Sequence, residues 1–318
     1  MTRLETHWRR QVYAYHPVIG WWHLPNLYAR LALGQTYHVV QTNAAGMRAT
    51  RDYPLQRPPG RRRVLFLGDS YTAGDGVSNA QRFTDLLETR FAHLDALNFG
   101  LNGSGTDQQL LIYENLAHGF EADAYVLCVC VENIARNAYT CFPSYSLREH
   151  LTVYRPKPWF ELGAQGLVLK NQPVPLEKRN VGALGDWRCA FPQVPGARDP
   201  YAVYADPQGR HWRLMKAILE RFLGQVRGKP VLVVPLPMDV HYLERFPPTY
   251  LPRFLELDAP AQGVHVVDLL PAFTRLSPRR RRELRFPDDP HYTRQAHAIV
   301  ADALEYELAR RCPQLLAA

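Results

Sequence analysis

The stretch 63-RVLFLGDS-70 decides the fold of this 318-residue chain. It contains an apolar run, Val64 to Leu67, that begins after a charged residue and ends at Gly68. This pattern is typical of a short buried strand. A serine follows the strand end directly, where a sharp turn would expose its hydroxyl group as a nucleophile requires. The sequence therefore predicts a buried strand with Ser70 at its carboxyl end.

Predicted strands and helices alternate along much of the remaining chain. The apolar runs predict strands at 94–99, 124–131, 230–235 and 264–269. Helical spacing predicts helices at 80–91, 106–118, 211–226, 250–257 and 293–310. Such alternation is typical of right-handed βαβ units. We therefore predict an α/β fold in which helices sandwich a parallel β-sheet.

Two segments interrupt this pattern and suggest the domain organisation. Residues 1–60 are rich in Trp, Tyr, His, Pro and Arg, and they end in a Pro-Pro-Gly turn. We predict that they form an N-terminal extension of an α/β domain that covers 61–318. Within that domain, prolines, glycines and short apolar pieces at about 140–208 predict an irregular insertion with one hairpin near 166–170.

The charge of the chain does not by itself indicate a nucleic-acid partner. Lys and Arg number 38 against 30 Asp and Glu, giving a net charge of +8, and seven of the positive charges lie in the runs 61–63 and 279–282. A basic excess can mark a nucleic-acid-binding surface. The sequence contains no zinc-finger spacing, RNP-like aromatic run or heptad repeat. We therefore expect solvated arginines, with the run 279–282 in a loop or a short exposed helix, and no nucleic-acid partner.

The apolar segments and the cysteines bear on location and on metal binding. The first 25 residues contain no apolar stretch like that of a signal peptide, and no window approaches 18 apolar residues. We therefore predict a cytoplasmic protein without a membrane span. The five cysteines, at 128, 130, 141, 189 and 312, are irregularly spaced. They are expected to be buried, reduced thiols rather than metal ligands, because a CxC pair alone lacks the other ligands of a metal site.

Residues suited to catalysis follow three predicted strands and precede the last predicted helix. They are Gly68-Asp69-Ser70, the glycine-rich loop 98-NFGLNGSG-105, Glu132-Asn133 and 288-DDPH-291. In parallel sheets, binding sites collect at the carboxyl ends of the strands. Each segment alone has a simpler explanation, since Ser, Asp and Asn are common helix caps and turn residues.

The last segment offers a carboxylate for a catalytic histidine. An Asp three residues before a His, across a tight turn, can accept the Nδ1 hydrogen and orient the ring. This spacing predicts that Asp288 is the partner of His291. Asp289 is then expected to be solvated or to cap the last helix. His297 lies inside that predicted helix and is expected to be a packed or surface histidine.

Taken together, the four segments resemble the motifs of the SGNH hydrolases, the GDSL-like esterase superfamily. The resemblance covers roughly 62–137 and 228–311, and 43-NAAGMR-48 resembles a segment that precedes the catalytic domain in some bacterial members. It implies a flavodoxin-like fold. The roles that it implies are a nucleophile Ser70, a base His291 oriented by Asp288, and oxyanion donors from Ser70, Gly103 (with Gly100 as the second choice) and Asn133. The family commonly has Gly before the Asn and Asp after it, whereas this chain has Glu132 and Ile134.

This resemblance implies a serine esterase that hydrolyses small acyl esters, with O-acetyl groups of a carbohydrate or a specialised metabolite as candidate substrates. An acyltransferase would use the same residues, with water excluded by the insertion or by the N-terminal extension. A non-catalytic binding protein on the same fold is a third alternative. No metal or organic cofactor is expected, and the sequence does not indicate an oligomeric state.

Overall fold

A five-stranded parallel sheet forms the centre of the protein. The computed structural model describes residues 12–33, 36–146, 151–176, 179–180 and 194–317. The strands of this sheet are β1 (Arg62–Gly68), β2 (Leu94–Gly100), β3 (Ala124–Cys130), β4 (Val231–Leu236) and β5 (Val264–Val266). Their spatial order is β2-β1-β3-β4-β5, with every neighbouring pair parallel. This is the flavodoxin-like order, so the predicted fold class is confirmed.

Helices flank the sheet in two groups. The helices are α1 (Ser70–Ala73), α2 (Phe83–Arg90), α3 (Thr106–Ile112), α4 (Asn133–Arg136), α5 (Arg210–Gln225), α6 (Asp239–Tyr242), α7 (Leu251–Leu255), α8 (Leu270–Thr274), α9 (Pro278–Arg282) and α10 (Arg294–Arg311). Helix α2 packs with α10, and α3 packs with α5. One π-helical turn, Tyr113–Ala117, continues α3 to the end predicted for it. Short 3-10 turns lie at Ala202–Tyr204, Pro260–Gln262 and Pro313–Leu315.

The turn from β1 into α1 requires a glycine and a capping aspartate. A Cβ atom on Gly68 would lie 2.0 Å from Thr72 Oγ1, so a side chain does not fit there. Asp69 caps α1, because its Oδ1 accepts a hydrogen bond from the Tyr71 N–H at 3.0 Å. This tight turn places Ser70 at the first position of α1.

The described part of the N-terminal extension contains two antiparallel hairpins. They pair Tyr13–His16 with Gly20–His23 and Tyr28–Leu33 with Thr36–Gln41. Ile19, Trp21 and Trp22 pack into the main core, so the first hairpin is joined to the α/β unit. The domain boundary near residue 60 stays a prediction.

Arg48 links this extension to the helix that carries Ser70. The guanidinium is buried and donates to the Ala73 carbonyl at 2.6 Å and to the Gly74 carbonyl at 2.8 Å. It also donates to the Val77 carbonyl at 2.9 Å. These bonds satisfy carbonyl groups at the end of α1 and just beyond it, so Arg48 of the segment 43–48 holds in place the turn that carries Ser70.

The insertion contains the predicted hairpin and a further small sheet. The hairpin pairs Trp159–Gly163 with Gly166–Lys170. The strands Cys141–Ser146, Leu151–Pro156 and Arg179–Asn180 form the small antiparallel sheet. Lys157 forms a buried ion pair with Asp107 of α3, which anchors the insertion to the central domain. Residues 147–150, 177–178 and 181–193 of the predicted insertion lie outside the described residues.

Two further predictions concern the arginine run and the cysteines. The run 279–282 lies in the short helix α9, as predicted, and three of its arginines are exposed. Arg281 is the exception, because it is buried and pairs with Glu244 at 2.6 Å. The four cysteines of the described ranges are free and buried, as predicted, and Cys189 lies outside them. No helix within those ranges is long and apolar enough to cross a membrane.

Candidate active site

Ser70 and His291 meet at the carboxyl end of β1. The Ser70 Oγ lies 2.7 Å from His291 Nε2, although 221 residues separate the two in sequence. The competing His297 is buried in α10, where its Nδ1 accepts a hydrogen bond from the Phe83 N–H at 3.4 Å. Burial and nearby arginines lower the pKa of His297 to about 3, so it is a packed, neutral residue.

The carboxylate partner of His291 is Asp289, and the prediction of Asp288 is wrong. The Asp289 Oδ1 lies 2.5 Å from His291 Nδ1 and also accepts a hydrogen bond from the His291 N–H at 2.8 Å. Asp288 is exposed. The sequence predicted that Asp289 is solvated or caps the last helix. The structure instead shows it bonded to His291.

The local backbone conformation explains this difference. The spacing of three residues assumed a tight turn, whereas Asp289–Tyr292 is a strand that pairs antiparallel with Arg285–Phe286. Side chains two residues apart lie on the same face of a strand. Asp289 and His291 consequently share a face, whereas Asp288 lies in the turn that precedes the strand.

The charges around His291 favour its protonated form. Burial lowers the pKa of His291, but the hydrogen bond to Asp289 and the nearby carboxylates of Asp75 and Asp69 raise it above the usual 6.5. Burial raises the pKa of Asp289, and the contact with His291 and the charge of Arg285 bring it below its usual value. The pair is thus suited to stabilise an imidazolium that forms during a reaction.

Two side chains hold the strand that carries His291. The Tyr71 Oη donates to the Pro290 carbonyl at 3.0 Å, and its ring lies 5.0 Å from the His291 ring. Arg285, on the paired strand, forms a 2.8 Å ion pair with Asp239 at the start of α6. Both contacts fix the position of the histidine relative to Ser70.

Asn133 lies at the end of β3 with an unused amide donor. It is fully buried at the first position of α4, and its Nδ2 has no hydrogen-bond partner in the described part of the chain. The N-cap position of α4 is Glu132, so Asn133 is not the cap of this helix. A buried amide without a partner costs free energy unless a ligand or water satisfies it, which is typical of a donor reserved for function.

The glycine-rich loop after β2 favours Gly103 over Gly100 as a backbone donor. The Gly100 N–H is already used, because it donates to Asn98 Oδ1 at 2.9 Å. The Gly103 N–H makes no hydrogen bond to any described residue. Gly103 has a φ of +72°, and a Cβ atom there would lie 2.7 Å from the Phe142 ring, so only glycine fits.

Arg136 connects the three loops that carry these donors. Its Nη1 contacts Asp69 Oδ2 at 2.8 Å, the Ser104 carbonyl at 3.4 Å and Asn133 Oδ1 at 3.5 Å. Its Nη2 contacts Glu132 Oε2 at 2.7 Å. Glu132 is therefore paired with a cation. This contact explains how the chain accommodates a carboxylate at a position where the family that the motifs resemble commonly has glycine. Because Arg136 meets the Oδ1 of Asn133, the Nδ2 of that amide is left free.

Sequence reasoning named Ser70, His291 and Asn133 as candidates, but it gave Asp289 another role and did not name Arg136. The sequence signal for Asp289 is the alternation of residues two apart in 289-DPHY-292. The sequence signal for Arg136 is its position three residues after Asn133, on the same side of a helical turn. No group of three or more His, Cys, Asp or Glu side chains suited to a metal ion is found in the ranges that the structure describes.

Comparisons with known proteins give structural matches only. No family model matches the sequence, and no curated protein matches it. The chain is similar to the solved structure of a lipase/acylhydrolase from Enterococcus faecalis, at 14% identity and a TM-score of 0.45, over 79% of this chain and 96% of that one. A structure of TesA matches at 12% identity and a TM-score of 0.46, over 79% of this chain and 99% of that one.

A third match bears the name of the family that the motifs resemble. It is a member of the lipolytic protein G-D-S-L family from Veillonella parvula, at 11% identity and a TM-score of 0.44, over 78% of this chain and 99% of that one. Identities this low compare folds and not activities.

Proposed function

We propose that this chain is a serine esterase of the SGNH type, which hydrolyses small acyl esters through Ser70, His291 and Asp289. The observation that carries the proposal is the continuous hydrogen-bonded series from Asp289 to His291 to Ser70, with distances of 2.5 Å and 2.7 Å. A serine is a weak nucleophile unless a neighbouring base takes its proton. Here the base has both the required contact and a carboxylate that orients it.

The acylation step follows from these contacts. The Ser70 Oγ attacks the ester carbonyl carbon while His291 Nε2 takes its proton, and Asp289 stabilises the resulting imidazolium. The oxyanion that develops accepts hydrogen bonds from the N–H groups of Ser70 and Gly103 and from Asn133 Nδ2. The intermediate then collapses as His291 returns the proton to the leaving alcohol, and the acyl group stays on Ser70.

The second step releases the acyl group. A water molecule attacks the acyl-serine carbonyl carbon, His291 accepts its proton, and the same donors hold the oxyanion. Collapse of this intermediate gives a carboxylic acid and returns the proton to the Ser70 Oγ. An acceptor alcohol that takes the place of water gives acyl transfer by the same steps. Small O-acyl esters, including acetyl esters of hydroxyl-rich molecules, are the proposed substrates.

Covalent labelling with a fluorophosphonate tests the proposal. Ser70→Ala is expected to abolish labelling and to lower ester turnover by at least about 10³-fold, with little change in thermal unfolding. Ser78→Ala is the matched control, since Ser78 lies eight residues further along the same segment and accepts a hydrogen bond from the Val39 N–H at 2.9 Å. Labelling that persists in Ser70→Ala, or that disappears in Ser78→Ala alone, would contradict the proposal.

A further inference from the structure

We propose that the N-terminal hairpins build a subsite for the alcohol part of the ester, and that this subsite takes a neutral alcohol with several hydroxyl groups. The inference rests on the proposed esterase function and adds the class of leaving group. It assigns a direct role in substrate choice to the N-terminal extension.

A cavity of about 110 Å³ lies between the hairpins and the catalytic histidine. The second hairpin contributes an apolar wall, with Leu31 and Leu33 on one strand and Val40 on the other. His291 and Asp289 border the opposite side. The cavity therefore joins the extension directly to the reacting groups.

The position of the cavity assigns it to the alcohol rather than to the carbonyl oxygen. Its walls include His291 but none of the three proposed oxyanion donors, Ser70, Gly103 and Asn133. In the proposed mechanism, His291 gives its proton to the leaving oxygen, so the alcohol must lie on the histidine side of the ester. A molecule that fills this cavity is consequently placed where the alcohol leaves.

The polar groups of the cavity are mainly hydrogen-bond acceptors. Asp75 accepts from the Asn102 Nδ2, which leaves the second carboxylate oxygen and the Asn102 Oδ1 as acceptors. His38 also borders the cavity, and burial and the charge of Arg48 lower its pKa to about 4. His38 is therefore neutral near pH 7, and a neutral imidazole has one nitrogen that accepts a hydrogen bond. Hydroxyl groups are the donors that suit such a lining.

The charges of the cavity favour a neutral ligand. Arg48 borders the cavity, and burial and the charge of Arg82 lower its pKa to about 10, although the Asp75 carboxylate opposes this shift. The guanidinium therefore keeps its positive charge near pH 7 and offsets the charge of Asp75. The guanidinium donates to the carbonyls of Ala73 and Gly74, so it is not available to hold an anion. Its positive charge also opposes a cationic alcohol. A neutral polyol meets neither penalty.

Acyl transfer to added alcohols tests this subsite, because an acceptor alcohol enters where the leaving alcohol departs. The acyl-enzyme is formed from p-nitrophenyl acetate or p-nitrophenyl butyrate, whichever is turned over faster. Glycerol and 1-propanol are then added at equal concentration, and their esters are quantified. In this step the alcohol oxygen bonds to the acyl carbon, the bond to Ser70 Oγ breaks, and His291 carries the alcohol proton to Ser70. We expect at least about ten times more glycerol ester than propyl ester from the unaltered protein, a ratio worth about 1.4 kcal/mol.

Leu33→Trp is the variant that fills the cavity, and Arg30→Trp is its control. Leu33 is half-buried in the cavity wall, whereas Arg30 is exposed on the same strand and is not part of that wall. Leu33→Trp is expected to lower the glycerol-to-propanol ratio at least fivefold, and this ratio does not depend on how fast the acyl-enzyme forms. Arg30→Trp is expected to change neither this ratio nor p-nitrophenol release by more than threefold.

Other outcomes separate this inference from the proposed function. An unchanged ratio in Leu33→Trp, or a ratio near one in the unaltered protein, would overturn the subsite. Choline or glycerol phosphate as better acceptors than glycerol would overturn the preference for a neutral alcohol. Release of p-nitrophenol that does not depend on Ser70 would instead overturn the esterase function itself.

Discussion

The two sides of the candidate site are held together in different ways. On the side of Asn133, the guanidinium of Arg136 contacts Asp69 and the Ser104 carbonyl of the glycine-rich loop, and the arginine side chain is only 11% exposed. On the side of His291, a short strand is held by hydrogen bonds, and the side chain of Asp289 is 28% exposed. The proposed oxyanion donors are therefore held by largely buried charges, and the proposed base is held by a short strand that is partly exposed to solvent.

This difference indicates which substitutions the site tolerates without loss of the fold. Removing one partner of a buried ion pair leaves an uncompensated charge, which typically costs about 3–5 kcal/mol of folding free energy. Changes on the side of Arg136 therefore risk unfolding unless they keep a positive charge. Changes at the half-exposed Asp289 are expected to act mainly on the rate.

The largest effect is expected at the carboxylate that orients the base. Asp289→Asn should lower kcat by about 10³–10⁴-fold, because the histidine loses its oriented tautomer and the stabilisation of its charged form. Asp288→Asn should leave kcat within about threefold, since Asp288 is exposed and does not contact the histidine. Ester kinetics of the two variants make the comparison. Equal losses in kcat, or a larger loss from Asp288→Asn, would instead support Asp288 as the partner of His291.

The pH dependence provides a second measurement on the same variants. His291 acts as a base only when neutral, so kcat/KM should rise with pH through its pKa, which lies above 6.5. Asp289 is among the groups that raise this pKa. The acidic limb of the residual activity should therefore move to lower pH in Asp289→Asn and stay in place in Asp288→Asn. An acidic limb that stays in place in both variants would show that Asp289 does not raise the pKa of the base.

The sequence predicted the parts of the site that depend on local pattern. The apolar runs before Ser70 and before Asn133 predict the strands β1 and β3. The structure has both strands at those positions, with Ser70 and Asn133 just after them. The partner of His291 was missed because it depends on whether 289–292 is a turn or a strand, and only pairing with Arg285–Phe286 decides that. The alternation in 289-DPHY-292 fits a strand, but the same residues also fit a tight turn, so the local pattern alone does not choose between the two.

A smaller effect is expected from the loss of the amide donor on the buried side. Asn133→Ala should lower kcat by about 10²–10³-fold with little change in KM, because the donor acts on the oxyanion of the transition state. Asn137→Ala is the control on the same segment. Asn137 is buried and bonds to Thr106 Oγ1 at 2.5 Å, so its loss should lower the unfolding temperature more than kcat.

Asn133→Asp sharpens this test, because an ionised carboxylate keeps the shape of the side chain but offers no donor. Its turnover should be at least as low as that of Asn133→Ala, since a negative charge next to a developing oxyanion is unfavourable. Near-normal turnover of the Asp variant would mean that backbone donors alone build the oxyanion hole.

The smallest effect is expected at Arg136, which acts through the donor rather than on the substrate. Arg136→Lys keeps the charge near Asp69 but removes the planar fork that also reaches Asn133 Oδ1. We expect kcat to fall about tenfold, because the amide of Asn133 is then less well oriented but still present. Glu132→Gln is the control, since it alters the other partner of the guanidinium and leaves the Asn133 contact intact. It should change kcat by less than about threefold, because that ion pair is partly solvated.

A double-mutant cycle decides whether Arg136 acts through Asn133 or only stabilises the fold. If the arginine orients the amide, Arg136→Lys should cost almost nothing once Asn133 is already Ala, because no amide remains to be oriented. If it acts only on stability, the two losses in kcat should multiply, and the unfolding temperature should fall equally in both backgrounds. Kinetics of the two single variants and the double variant, each with its thermal unfolding curve, measure both quantities. Full multiplication of the kinetic losses would show that the buried charge supports the fold and that Asn133 finds its orientation without it.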